Sequence, residues 1–293
     1  MLDFFRSRKE RVRRANIRER KALHSKIMDA VHKKNPEELR LLLTSDEVQK
    51  SFERIGKGVL FRCLNCAVMG RDSECVEEIL KAGAYQCREE FCRPLTRVMY
   101  LGEDRLLQLL LKYGESPDSE WELPLFLAVR RAELSMFRTL LLYGADPDHN
   151  ISKPHSKYVS PYTQSLLGLC LAENYEEAFV KLLIAFGANM YSPEVQRSLN
   201  SADNDAAKLL LREKAHPRPL KSQCRISIRR LLKQVGKLLL IGQLEIPNQL
   251  VAYLQYCNEL DYPEKLPRYF EVKAQEYKDA RKWISIDSPG QPF

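Results

Sequence analysis

The sequence predicts an all-α protein, an array of short helix pairs closed by a separate two-helix module. Three observations predict it. Glycines at 83, 114 and 144 stand about 30 residues apart, each ending an apolar-periodic stretch. Pro94-Leu95 and Pro124-Leu125 open two of these stretches, where a pre-set φ favours the first helical turn. Between Pro219 and Cys257 the apolar period continues, but the surrounding residues become strongly basic.

In chain order, the first block is basic: Arg6, Arg8, Lys9, Arg11, Arg13, Arg14, Arg18, Arg20 and Lys21, interrupted only by Glu10 and Glu19. Much of the formal net charge of +8 comes from this segment, residues 1–21. Such a block reads as a nuclear-localisation patch, as a contact for nucleic acid or acidic lipid, or as a solvated helical extension. No aromatic residue follows Phe5 among the arginines, so base stacking on single strands has no platform, and nucleic acid is not the expected partner.

Helix pairs are expected from Ala22 onward. ALHSKIMDAVHKK leads to Asn35-Pro36, a helix-start signal, and then to EELRLLL. Three further stretches end at Gly83-Ala84, Gly114 and Gly144-Ala145, and a fourth ends at Gly187-Ala188 after an insertion at 149–163. Leu109-Leu110-Leu111 and Leu140-Leu141-Leu142 are expected to run through the outer helices, with a left-handed glycine after each C-terminus. Asp146-Pro147-Asp148 starts a turn toward the next unit. Phe137, Phe179 and Phe186 read as core, and a helix around 206–211 closes the array before His216-Pro217.

The module after it begins at Pro219. Leu220, Cys224, Ile228, Leu231 and Val235 form the stripe of one helix face, while Lys221, Arg225, Arg229 and Lys233 point the other way. After a loop near Gly242, Pro247 opens a second helix with the stripe Leu250, Val251, Leu254 and Cys257. Two such helices cannot close a core of their own, so another chain or the preceding array must cover part of their apolar surface.

These patterns carry a family resemblance. The recurring unit over residues 22–212, about five to six times, resembles the ankyrin repeat. Pro219-Leu220-x-x-x-Cys224-Arg225-x-x-Ile228-Arg229, followed by Leu244-x-Ile246-Pro247-x-x-Leu250, resembles a SOCS box over residues 217–257. Together they resemble the ankyrin-repeat and SOCS-box family, an ankyrin-repeat solenoid followed by a C-terminal SOCS-box helical module. The resemblance implies a substrate-recruiting adaptor of a cullin–RING ubiquitin ligase. It places elongin C, with elongin B behind it, on Pro219, Leu220, Cys224 and Ile228, and cullin-5 with its RING protein on Leu244, Ile246, Pro247 and Leu250. Glu245 stands where the family's second box usually has proline, a departure that bears on the choice of cullin more than on elongin binding. A protein target, not identified by the sequence, would bind the repeats. Its candidate contacts are Tyr85, Arg88, Arg93, Trp121, Tyr158 and Tyr162, residue types enriched in binding hot spots. The resemblance stops at Cys257, and residues 258–293 form an extension that could fold back on the box, bind separately or compete with the cullin.

Catalysis is not expected. There is no phosphate-cradling glycine loop, no Gly-x-Ser-x-Gly and no His-Glu-x-x-His, and the five histidines do not cluster with carboxylates. No cofactor is implied. Cys63-x-x-Cys66 with Cys87 and Cys92 could offer four thiolates to zinc, against packed free thiols as the alternative. No apolar run is long enough to cross a membrane, and the charged first residues do not form a secretory leader. An intracellular, cytoplasmic protein is expected, with nuclear entry compatible with the basic block. The second function class is a plain ankyrin scaffold localised by that block, with the terminal helices serving only as a cap.

Overall fold

The structure is a computed structural model that describes residues 2–84, 94–118, 124–148, 165–173 and 175–257, with side chains from residue 10 onward. All regular elements among the described residues are helical. The chain divides into two compact units, Met1–Glu115 and Ser116–Phe293.

Unit one holds α1 (Leu2–His32), α2 (Pro36–Thr44), α3 (Asp46–Ile55), α4 (Gly58–Met69), α5 (Ser73–Lys81), α6 (Pro94–Leu101) and α7 (Asp104–Lys112). Asn35 caps α2 by accepting from the Glu38 N–H at 3.1 Å, with Pro36 in the first turn. Asp72 caps α5 by accepting from the N–H groups of Glu74 and Cys75. The core runs through Ile27, Leu39, Leu60, Leu64, Ile79, Leu107 and Leu110, all with no exposed surface. The sequence reading did not separate α3. Its Val48, Phe52 and Ile55 are buried at helical spacing, but it is a single helix between pairs, starting directly after α2. The boundary expected at residue 21 falls inside α1, which runs unbroken through it. Among its described side chains the first buried are Leu23 and Ile27.

Unit two holds α8 (Pro124–Arg130), α9 (Leu134–Leu142), α10 (Leu166–Ala172), α11 (Glu177–Ala185), α12 (Pro193–Ser201), α13 (Asp205–Ala215), α14 (Leu220–Gln234), a 3₁₀ segment (Leu238–Gln243) and α15 (Asn248–Leu254). Phe137 of α9 and Phe179 of α11 meet edge to face, with centroids 5.1 Å apart and no exposed surface. Successive turns are tied by a carboxylate ladder. The Asp146 N–H donates to Asp118 at 2.9 Å, and the Asn189 N–H donates to Asp148 at 2.7 Å. Within unit two, α14 and α15 pack against the helix pairs preceding them.

Candidate functional site

Helix α14 is inverted relative to an ordinary surface helix. Its leucine stripe faces solvent: Leu220 is 75% exposed, Ile228 40%, Leu231 62% and Val235 64%. Its arginine face is buried, with Arg225 3% and Arg229 8% exposed beside Ile226. Burying one such aliphatic side chain contributes about 1.5–3 kcal/mol, so the stripe forgoes several times that within this chain. Cys224 and Pro219 lie on the exposed side as well. Pro219 sits one position before the helix rather than within its first turn, at φ −54 and ψ 138, and Leu220 opens α14.

The buried arginines are bound to helix ends. Arg229 donates to the Leu142 carbonyl at 2.6 Å and the Leu141 carbonyl at 3.4 Å, and through its other nitrogen to the Leu254 carbonyl at 2.9 Å. One guanidinium thereby caps both α9 and α15, whose last carbonyls lack intrahelical partners and carry the negative end of the helix dipole. Burial pulls the Arg229 guanidinium down to about 10, which still leaves it charged at neutral pH. Around α11 the same chemistry repeats. Arg218 donates to the Ile184 carbonyl at 3.3 Å, Arg230 to the Gly187 carbonyl at 2.9 Å, and the Tyr256 hydroxyl to the Ala185 carbonyl at 2.8 Å. Lys233 pairs with Asp118 at 2.7 Å.

Aromatic rings fill the space between these cations. Tyr256 stacks on Phe186 with centroids 4.0 Å apart at 18°. Arg225 lies 3.8 Å from the Tyr256 ring and 4.2 Å from the Tyr253 ring, a cation–π stack in a dry setting. The sequence reading had Cys257 on the apolar stripe of the last helix. Instead α15 ends at Leu254, Tyr256 turns left-handed at φ +58, and its ring swings inward while Cys257 is exposed.

Two glycines set how closely the module approaches. Gly187 has φ +95, and a Cβ there would lie 2.8 Å from Ile226 Cγ2. Gly144 has φ +92, and its Cβ would lie 2.6 Å from Leu238 Cδ2. Leu238 can rotate that methyl away, whereas Ile226 is β-branched, buried and stiff. Gly187→Ala is therefore expected to destabilise unit two by about 2–3 kcal/mol, from backbone strain plus the clash. Urea unfolding should show the cost falling in an Ile226→Ala background, and strict additivity of the two changes would refute the contact.

The second predicted contact set is divided. Leu238, Ile241 and Leu254 form a small core, and Leu244, Ile246 and Val251 pack partly buried against it. Pro247 and Leu250 are exposed, Leu250 by 47%, and Glu245 also faces solvent. Leu239 and Leu240 are exposed near them.

Tyr85, Arg88, Arg93, Trp121, Tyr158 and Tyr162 lie outside the described residues, as do Cys87, Cys92, the insertion and residues 258–293. Cys63 is fully buried, and burial pushes its thiol up to about 12. Cys66 lies 3.5 Å from His32 Nε2. Among the described residues no cluster of three or more His, Cys, Asp or Glu could hold a metal ion, and no helix is long and apolar enough to cross a membrane.

Comparison with known proteins adds to this geometry. The family model for the SOCS box matches residues 216–255. Ankyrin repeat and SOCS box protein 12 of Homo sapiens is 44% identical over 133 residues, covering 45% of this chain and 43% of that protein. Ankyrin repeat and SOCS box protein 1 of Mus musculus is 31% identical over 142 residues, covering 45% and 42%. These matches thus span less than half the length of the curated relatives. Among solved structures, the ankyrin repeat domain of Bcl-3, a member of the IkappaB protein family, aligns with a TM-score of 0.44 and 16% identity over 64% of this chain and 97% of that one. The chain is thus similar, in its SOCS box and over less than half of its length, to proteins of the ankyrin-repeat and SOCS-box family.

Proposed function

We propose that this chain is a non-catalytic, substrate-recruiting adaptor of a cullin–RING ubiquitin ligase. The observation that carries the reading is the outward leucine stripe of α14, held over arginines that are themselves buried. A helix that only capped the array would turn its leucines inward. Pro219, Leu220, Cys224 and Ile228 fit an apolar groove of elongin C, with Leu220 as the anchor and the small Cys224 permitting close approach. Elongin B would sit behind elongin C. Pro247 and Leu250 offer exposed contacts to cullin-5 and its RING protein, while Leu244 and Ile246 mainly hold that segment in place through the small core. The helix pairs would hold the protein target, and the ligase would act on it through proximity. An intracellular location, cytoplasmic with nuclear entry compatible with the basic residues of α1, follows from the same reading.

The test is co-expression of the full chain with elongins B and C. Stoichiometric co-purification is expected, together with protection of Cys224 from alkylation. A chain that purifies without elongins, with Cys224 fully reactive, would instead be an ankyrin scaffold. Within the complex, Pro247→Ala with Leu250→Ala should lower cullin-5 capture and spare elongin binding. Leu244→Ala with Ile246→Ala should lower the melting temperature as well, because those side chains support the small core. Cullin-5 capture that survives both pairs at wild-type level would remove this segment from the interface.

A further inference from the structure

The described side chains of residues 10–18, on α1, take no part in the site described above. From Glu10 to Arg18 every side chain is exposed except Asn16, which is half-buried. The helix is anchored just beyond them, where Arg20 donates to the Ile55 carbonyl at 2.7 Å and Glu19 pairs with Arg54 at 2.7 Å.

We propose that this exposed part of α1 is a cationic helix that seats in the major groove of duplex DNA, binding phosphates without reading sequence. The register of the helix selects the partner. At about 100° per residue, Arg11, Arg14, Arg18 and Lys21 fall on one side of α1, and Arg13 falls on nearly the opposite side, the side on which Arg20 is already engaged by the Ile55 carbonyl. A lipid surface or an acidic protein face reaches one side of a helix. A groove has phosphates along both walls, so the ridge of cations and Arg13 opposite it can both be neutralised. The dimensions agree, since a helix with side chains is about 10–12 Å across and the B-form major groove is about 12 Å wide.

The apolar residues point the same way. An interfacial membrane helix needs one apolar face opposite its charged one. Here the exposed Val12 and Ile17 lie on different sides of α1. Residues 10–21 contain no Phe, Tyr or Trp on which unpaired bases could stack, which favours a duplex over a single strand. Like charges one turn apart, as at Arg14 and Arg18, repel within the free helix, and phosphates would relieve this. The ion pair of Arg14 with Glu10 at 3.9 Å is too open to solvent to compete strongly with phosphates for that arginine.

The test uses the full chain, a labelled random-sequence DNA duplex of about 20 base pairs, the matching single strand and vesicles containing phosphatidylserine. Duplex binding is expected to weaken roughly a hundredfold between about 50 and 200 mM salt, as release of counterions from about four phosphates requires. Replacing Arg11, Arg14 and Arg18 together by Gln should reduce the salt slope by about three, and Arg13→Gln alone should reduce it by about one. Both variants should keep the wild-type melting temperature, because these side chains are exposed. Four results would overturn the proposal: no duplex binding at low salt, equal affinity for the single strand, binding to vesicles in preference to the duplex, or no effect of Arg13→Gln.

Discussion

Arg229→Ala is expected to destabilise unit two by about 3 kcal/mol, one of the two largest effects argued for this chain. The substitution leaves the Leu142 and Leu254 carbonyls without the donor that now serves both. A buried carbonyl left unsatisfied costs about 1–3 kcal/mol, and the void beneath Tyr256 and Phe186 adds to it. Charge burial offsets part of this, as the lowered guanidinium shows, so the sum stays below a simple addition of the lost bonds. Arg229→Lys should not restore stability, because a single ammonium lacks the planar fork that reaches two helix ends at once. Urea unfolding of the three proteins decides the matter. A lysine variant as stable as wild type would show that charge alone, not bridging, is what the site requires.

The second large effect falls on partner binding. Leu220→Ala with Cys224→Phe is expected to abolish capture of elongin C while leaving the melting temperature of the chain unchanged. Leu220 is 75% exposed and Cys224 also faces solvent, so neither change disturbs packing in the free protein. Truncating a central anchor costs about 2–4 kcal/mol, a thirtyfold to thousandfold loss, before the obstruction from the phenylalanine is added. Elongin capture at wild-type level by the folded double variant would refute the adaptor reading. Lost capture together with a lower melting temperature would point to misfolding, and the exposed positions make that outcome distinguishable.

The helix pairs were legible because glycine rhythm, proline starts and apolar spacing are local properties, and at Gly114, Gly144 and Gly187 the left-handed turn appears where the pattern places it. Helix α3 was not legible, since it stands alone directly after α2 instead of forming a pair. The stripe on α14 was legible as a surface. What the sequence could not reveal is the role of the arginines opposite it. Arg225 and Arg229 look like a solvated basic face until the ends of α9 and α15 arrive beneath them, and those ends are 87 and 25 residues away from Arg229 in the chain. Tyr256 was hidden for a related reason, because a single left-handed residue after α15 decides which side chain turns inward.

The spacing of those bonds along α14 has a mechanical meaning. Arg218, Arg229, Arg230 and Lys233 fix the helix at several points along its length, so it has no free hinge against α9 and α11. A flexible tether would let whatever the stripe carries wander through a sphere, at an effective concentration set by its length. A bracket instead holds that cargo in one orientation relative to the helix pairs of unit two. For a ligase adaptor, the surface of a target within reach of the ubiquitin carrier would then be set by where the target docks, and lengthening the segment between α13 and α14 should do little to widen it while the arginines stay in place.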